Sequence, residues 1–69
     1  MAYAQPATLP GSQLLALATA YCQQRGVRET MFGRFAASDP RLIGDLRRGR
    51  QPRQDLTNRV LAFINRGAP

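Results

Sequence analysis

Apolar residues recur at helical spacing in four stretches of this chain, and a glycine or proline lies at or near each boundary between them. Positions i, i+3, i+4 and i+7 lie on one side of an α-helix, so each stretch has a side that can be buried. No stretch alternates with the period of two typical of a strand, and there is no internal repeat. The pattern predicts an all-α domain of four helices, at about residues 12–25, 29–37, 40–48 and 54–66, joined by short connections.

The chain has 69 residues, which is enough for one small domain. Residues 1–11 are rich in proline and small residues and are predicted to form a flexible N-terminal arm. Residues 12–67 are then the folded domain. Ser12 is predicted to cap the start of the first helix, and Gly26 and Gly67 to end the first and fourth helices.

The large apolar side chains define the predicted inner sides of the helices. The expected core residues are Leu14, Leu15, Leu17, Ala18, Tyr21 and Cys22 in the first helix, Met31, Phe32, Phe35 and Ala36 in the second, Leu42, Ile43 and Leu46 in the third, and Leu56, Val60, Leu61, Phe63 and Ile64 in the fourth. Gly33 lies inside the second helix, where glycine costs about 1 kcal/mol relative to alanine. This cost suggests that another helix passes too close for a larger side chain.

The composition argues against an enzyme. There is no histidine, no lysine and a single cysteine, so a Cys/His zinc site, an intrachain disulfide, a Walker A loop and a Schiff base are excluded. The four acids are scattered and form no evident catalytic pair. We expect no catalytic residue, no metal and no other cofactor.

Nothing in the sequence predicts a membrane protein. No apolar run approaches the roughly 20 residues of a transmembrane helix, and the first residues lack the layout of a signal peptide. We therefore expect a soluble protein of the reducing cytoplasm.

Charge is concentrated in the middle of the chain. Ten arginines and four acids give a net charge of +6; residues 1–24 carry no charged side chain, whereas residues 25–53 hold eight of the arginines and three of the acids. The planar fork of arginine suits phosphates and guanine edges. A GC-rich genome would also favour arginine over lysine, and the composition leaves both explanations open.

Residues that favour helix ends stand on both sides of the third predicted helix. Asp39 is a good N-cap, Pro40 suits the first turn and Gly49 suits a left-handed C-cap. Only about two residues, Ser38 and Asp39, connect the second helix to the third, so the two helices meet at a sharp angle. This is the spacing of a helix-turn-helix.

Residues 28–64 resemble the helix-turn-helix of the phage-repressor and Cro class, the lambda-repressor-like (XRE-type) fold. The residues that carry the resemblance are Gly33, Asp39, Ile43, Gly49, Pro52 and the apolar helix that holds residues 56–64. Ala37 stands where the family commonly has a turn glycine, and Ser38 stands where an apolar residue is usual. No fifth helix is predicted, which leaves open the dimer contact usual in the family.

The resemblance implies that the third helix enters the major groove of double-stranded DNA. The residues implied at base edges are Pro40, Arg41, Gly44 and Asp45. Those implied at phosphates are Arg28, Arg34, Arg47, Arg48, Arg50 and Arg53. Arg41 is the predicted guanine contact, and Asp45 either pairs with Arg41 or Arg48 or accepts a hydrogen bond from a cytosine amine. Glu29 would repel phosphate unless a neighbour such as Arg28 compensates it.

The predicted function is therefore sequence-specific binding of double-stranded DNA. The chain would be a small transcriptional regulator of bacterial or phage type, or its DNA-binding domain, located at the nucleoid. A second copy of the chain or a component of the transcription machinery would be a further partner.

Three other interpretations remain open. A helix-turn-helix fold also serves as a protein-interaction (adaptor) module, here through helix 12–25 or 54–66. The basic stretch would otherwise be only a solvated surface. RNA binding ranks third among the possible functions, after DNA binding and protein interaction, because no aromatic residues alternate with the basic ones.

Overall fold

The computed structural model describes residues 10–66. Within this range the chain forms four α-helices and no strand: α1 (Gly11–Arg25), α2 (Glu29–Ala37), α3 (Leu42–Arg47) and α4 (Gln54–Arg66). The predicted all-α class and helix number are confirmed. The arm over residues 1–9 and the helix end at Gly67 lie outside the described residues.

Side chains from all four helices form one hydrophobic core. Its buried apolar members are Leu14, Ala18, Tyr21, Cys22, Phe32, Ala36, Ala37, Leu42, Ile43, Leu46, Val60 and Phe63. At the centre the rings of Tyr21, Phe32 and Phe63 lie with every pair of centroids 5.5 Å apart. These tilted and edge-on arrangements are the ones that aromatic quadrupoles favour, so one aromatic cluster joins α1, α2 and α4.

Three predicted core residues are exposed instead. Leu17, Met31 and Phe35 keep 43%, 40% and 51% of their surface accessible, so the prediction of an inward position is wrong for each. In the helical projection Leu17 lies at one edge of the buried side of α1. Met31 and Phe35 lie on the side of α2 away from the buried Gly33, so the neighbouring helices cover only part of each predicted apolar side. The ring of Phe35 nevertheless stacks on Phe63, with centroids 6.5 Å apart.

The first helix begins one residue earlier than predicted. Gly11 opens α1, and the carbonyl of Pro10 accepts hydrogen bonds from the amides of Gln13 and Leu14. Ser12 lies inside the first turn, and the predicted Ser12 cap is wrong. The first amide of the helix, that of Gly11, instead donates a hydrogen bond of 3.2 Å to the side-chain carbonyl of Gln51. Gly11 is buried, and a Cβ at this position would fall on the carbonyl oxygen of Arg50. The arm predicted over residues 1–11 therefore does not include residue 11.

The angle between α2 and α3 depends on a close backbone contact. A Cβ at Gly33 would overlap the carbonyl oxygen of Asp39 and lie 3.2 Å from the Cβ of Leu42. The amide of Asp39 also donates a hydrogen bond of 3.0 Å to the carbonyl of Gly33. The predicted need for a small residue in α2 is confirmed, and the left-handed turn residue is Ser38 (φ 55°).

The third helix is shorter than the predicted 40–48. The Asp39 side chain accepts a hydrogen bond of 3.0 Å from the amide of Arg41, and its carbonyl accepts one from Leu42. Asp39 therefore organises the helix start as predicted, but as an Asx-turn that takes up Pro40 and Arg41 before α3 begins.

The far end of α3 has the predicted glycine cap. Gly49 has φ 101°. Its amide donates to the carbonyl of Leu46, and the amide of Arg50 donates to the carbonyl of Asp45. This pair of hydrogen bonds is the Schellman motif, which satisfies the last carbonyls of a helix. Gly26 ends α1 in the same left-handed region, with φ 66°, as predicted.

Candidate nucleic-acid interface

Helix α3 has an inner side in the core and an outer side at the surface. Leu42, Ile43 and Leu46 are buried beneath it. The outer side and the turns flanking it present the exposed residues Pro40, Arg41, Arg47, Arg48 and Arg50 and the half-buried residues Gly44 and Asp45. All four residues predicted at base edges therefore lie together on or beside the outer side of one short helix.

A shallow groove runs between this outer side and the start of α2. Its lining is Glu29, Thr30, Pro40, Arg41, Ile43, Gly44, Asp45 and Arg48. Thr30 is the one lining residue with no signal in the sequence, because a single exposed threonine in a helix is commonplace. Arg34 lies one helical turn after Thr30, so it projects from the same side of α2.

The closest ion pair within residues 10–66 joins α2 to α3. The two guanidinium nitrogens of Arg47 donate to the two carboxylate oxygens of Glu29 at 2.8 and 2.7 Å. These hydrogen bonds hold the pKa of Glu29 below its ordinary value and raise that of Arg47. The residue that compensates Glu29 is therefore Arg47 rather than the predicted neighbour Arg28.

A second network lies around the turns that flank α3. Arg48 contacts the carboxylate of Asp45 at 3.3 Å. Arg50 contacts Asp39 at 3.3 Å and Asp45 at 3.4 Å. Of the two pairings predicted for Asp45, the one with Arg48 is confirmed, while Arg41 is not its partner. Each acid of this surface thus lies beside at least one arginine.

Four other arginines of the predicted set have unengaged side chains. Arg28, Arg34, Arg41 and Arg53 are exposed, and no side-chain hydrogen bond or ion pair links them to any other residue in the range 10–66. Arg28 and Arg53 immediately precede α2 and α4, and Arg41 immediately precedes α3. Unpaired guanidinium groups therefore stand beside the starts of three helices.

Within residues 10–66, neither Cys22 nor a cluster of metal-ligating side chains forms a further chemical site. Cys22 is buried in the core as predicted, and burial raises the pKa of its thiol, with Glu29 adding to the effect. Residues 10–66 contain no group of three or more metal-ligating side chains. No helix in that range is long and apolar enough to cross a bilayer.

Comparisons of the chain with protein-family models, with curated proteins and with solved structures find no match.

Proposed function

We propose that this chain binds double-stranded DNA sequence-specifically, with α3 in the major groove. It would act as a small transcriptional regulator of bacterial or phage type, or as the DNA-binding domain of one, at the nucleoid. The observation that carries the proposal is the outer side of α3. There Arg41, unpaired within residues 10–66, lines the same groove as Gly44, and Arg47, Arg48 and Arg50 follow at the C-terminal end of the helix.

The dimensions of α3 suit a groove. An α-helix with its side chains is about 10–12 Å across, which matches the width of about 12 Å of the major groove. The six residues of α3 span about 9 Å along the helix axis. A Cβ at Gly44 would meet only the end of the Arg48 side chain, at 3.8 Å. The helix therefore presents bare backbone at its midpoint, which allows it to approach the base edges closely.

Arg41 is the proposed base-reading residue. In helix-turn-helix proteins the residues at the start of the second helix lie nearest the bases. A guanidinium group that has no protein partner can donate two hydrogen bonds to the O6 and N7 acceptors of guanine. Arg41 stands at the start of α3, and its exposed guanidinium has no side-chain partner within residues 10–66.

The surrounding arginines are proposed to bind phosphates. Arg28, Arg34 and Arg53 are free to do so, and Arg48 and Arg50 hold their carboxylates at more than 3 Å. About four to six phosphate contacts would give a slope of about −4 to −5 when log K is plotted against log salt.

Selection of bound sequences from random DNA, followed by anisotropy titrations at two salt concentrations, tests the proposal. We expect one enriched site bound with a nanomolar dissociation constant and a scrambled duplex bound at least a thousandfold more weakly. Equal affinity for every duplex would contradict sequence-specific binding and leave only electrostatic attraction.

Three arginine variants test the assigned roles. Arg41→Ala should reduce the preference for the selected site about tenfold or more, because it removes a base contact. Arg53→Ala should weaken binding to all duplexes alike and lower the salt slope by about 1. Arg66→Ala is the matched control, because it removes the same charge at the opposite end of α4, about 18 Å along the helix. Identical effects of all three would contradict the docking.

A protein-interaction module is the second candidate function. Exposed Leu17 lies on α1, whose only charged residue is Arg25, and such a surface suits a protein partner better than a polyanion. NMR shift mapping distinguishes the two functions. DNA should shift residues 39–53, whereas a protein partner should shift residues 12–25 or 56–66.

A further inference from the structure

The arginines of the proposed interface differ in how firmly they are held. Arg47 makes two hydrogen bonds to Glu29 at 2.7 and 2.8 Å. The contacts of Arg48 and Arg50 with Asp39 and Asp45 are single and 3.3–3.4 Å long. Arg47 is thus the arginine of this surface whose guanidinium is occupied by a paired, two-point contact.

We propose that Glu29 limits the DNA affinity of this surface by competing with phosphate for Arg47. This inference rests on the proposed function and adds a residue that sets its strength. Glu29 acts through Arg47, so it is a positioning residue and not itself a DNA contact.

The chemistry of the contact supports the competition. A carboxylate and a phosphate both offer two oxygens to the same edge of a guanidinium fork, so one arginine edge binds one of them at a time. The Glu29–Arg47 pair is about half exposed, with 42% and 52% of the two side chains accessible. A phosphate can therefore reach the pair, but it must displace Glu29 to bind the edge of Arg47 that the carboxylate occupies.

The location of the Glu29–Arg47 pair explains why its carboxylate would lower the affinity for DNA. Glu29 lies in the first turn of α2 and lines the groove that contains Arg41 and Gly44. Its carboxylate thus brings negative charge to the surface proposed to meet the DNA backbone. Without that carboxylate, Arg47 would be one more free cation at the same surface.

A purely structural role makes the opposite prediction. If the pair served only to brace α2 against α3, its loss would loosen the angle between them and weaken DNA binding. The competition predicts stronger binding instead, so the sign of the change separates the two roles.

The test compares Glu29→Gln with the unmodified chain on a random-sequence 20-bp duplex. Glutamine keeps the size of the side chain but removes its charge. One additional phosphate contact should steepen the slope of log K against log salt by about 0.9. If the two proteins bind equally at about 1 M salt, this slope gives a gain in affinity of about eightfold at about 0.1 M salt. Circular dichroism confirms that the variant keeps its helices.

Two further variants serve as controls. Asp55→Asn removes one negative charge from a carboxylate that contacts no arginine side chain within residues 10–66, and it should leave the slope unchanged. Adding Arg47→Gln to Glu29→Gln should abolish the gain, because the released cation is then absent. Equal gains in Glu29→Gln and Asp55→Asn, an unchanged slope, or weaker binding by Glu29→Gln would each overturn the inference.

Elution from heparin provides a readout that does not depend on DNA recognition. Later elution of Glu29→Gln than of the unmodified chain and Asp55→Asn supports the competition, and co-elution of all three overturns it. A chain that binds no duplex would contradict the proposed function. A chain that binds duplexes with the same slope before and after Glu29→Gln would contradict only this inference.

Discussion

The inner and outer sides of the α2–α3 pair follow different physical rules. The inner side, where Phe32, Gly33 and Leu42 meet the core, is apolar and filled, and the backbone at Asp39 leaves no room for a methyl group on Gly33. The outer side is charged and exposed, and at Gly44 it has space for added atoms. The tightly packed contacts of the inner side hold the angle between α2 and α3. The charged side chains of the outer side are exposed to solvent and do not determine that angle.

This difference separates the residues expected to govern stability from those proposed to bind DNA. Substitutions on the inner side should change the free energy of unfolding, because they create cavities or overlaps. Substitutions on the outer side should leave stability nearly unchanged and alter binding, because exposed ion pairs contribute little to folding. Paired substitutions, one from each side, test the separation.

The largest expected difference in the free energy of unfolding lies between variants of two phenylalanines of α2. Phe32→Ala should lower the free energy of unfolding by about 3–5 kcal/mol, because its fully buried ring touches both Tyr21 and Phe63. Phe35→Ala, which removes a half-exposed ring, should lower it by about 1 kcal/mol. Urea unfolding followed by circular dichroism measures both values. Equal losses would show that the exposed ring belongs to the core after all.

Two glycines provide the next comparison. Gly33→Ala should destabilise the fold by about 1–3 kcal/mol, because the new methyl group overlaps the carbonyl of Asp39. Gly44→Ala should be neutral or stabilising by up to about 1 kcal/mol, since helix propensity rises and the position is open. Thermal unfolding of the two variants is the measurement. A stabilised Gly33→Ala variant would contradict the close contact at the turn between α2 and α3.

The buried hydroxyl of Thr57 tests whether a polar atom on the inner side of α4 is costly. This side chain is 1% exposed, and its hydroxyl finds no hydrogen-bond partner in the described part of the chain. Thr57→Val should stabilise the protein by about 1 kcal/mol, because it removes an unsatisfied polar group without changing its shape. Thr19→Val is the control, since the Thr19 hydroxyl bonds to the carbonyl of Leu15, and it should bring no gain in the same unfolding experiment.

The smallest effect is expected from the exposed Glu29–Arg47 pair. The hydrogen bonds from Arg47 lower the pKa of Glu29 in the folded state. Its contribution to stability is therefore present above the ordinary carboxyl pKa and is lost as the pH falls through the lowered folded pKa. The stability difference between the unmodified chain and Glu29→Gln should be greatest at neutral pH and shrink in acid. A difference that grows in acid, measured by denaturant titrations at several pH values, would contradict the pairing.

Helix number and most helix boundaries were predictable from local signals. The left-handed ends at Gly26 and Gly49 follow from the freedom of glycine at positive φ, and the contact at Gly33 follows from a glycine placed where it weakens a helix. The start of α3 was predicted less well, because Asp39 has two ways of capping and formed an Asx-turn.

The exposed apolar residues and the ion-pair partners were not predictable in the same way. Periodicity shows which side of a helix is apolar, but not how far a neighbouring helix covers it, so Leu17, Met31 and Phe35 were placed inside. The partner of Glu29 was expected one residue away at Arg28, whereas folding brings Arg47 from 18 residues further along the chain.

The sequence alone determined four helices, a tight turn between the second and third, and a concentration of arginine around that turn, because each depends on residues close together in the chain. Only the tertiary structure decided which arginines are free and which are held by carboxylates. That division depends on distances between helices, and such distances are set by core packing far from the charges themselves.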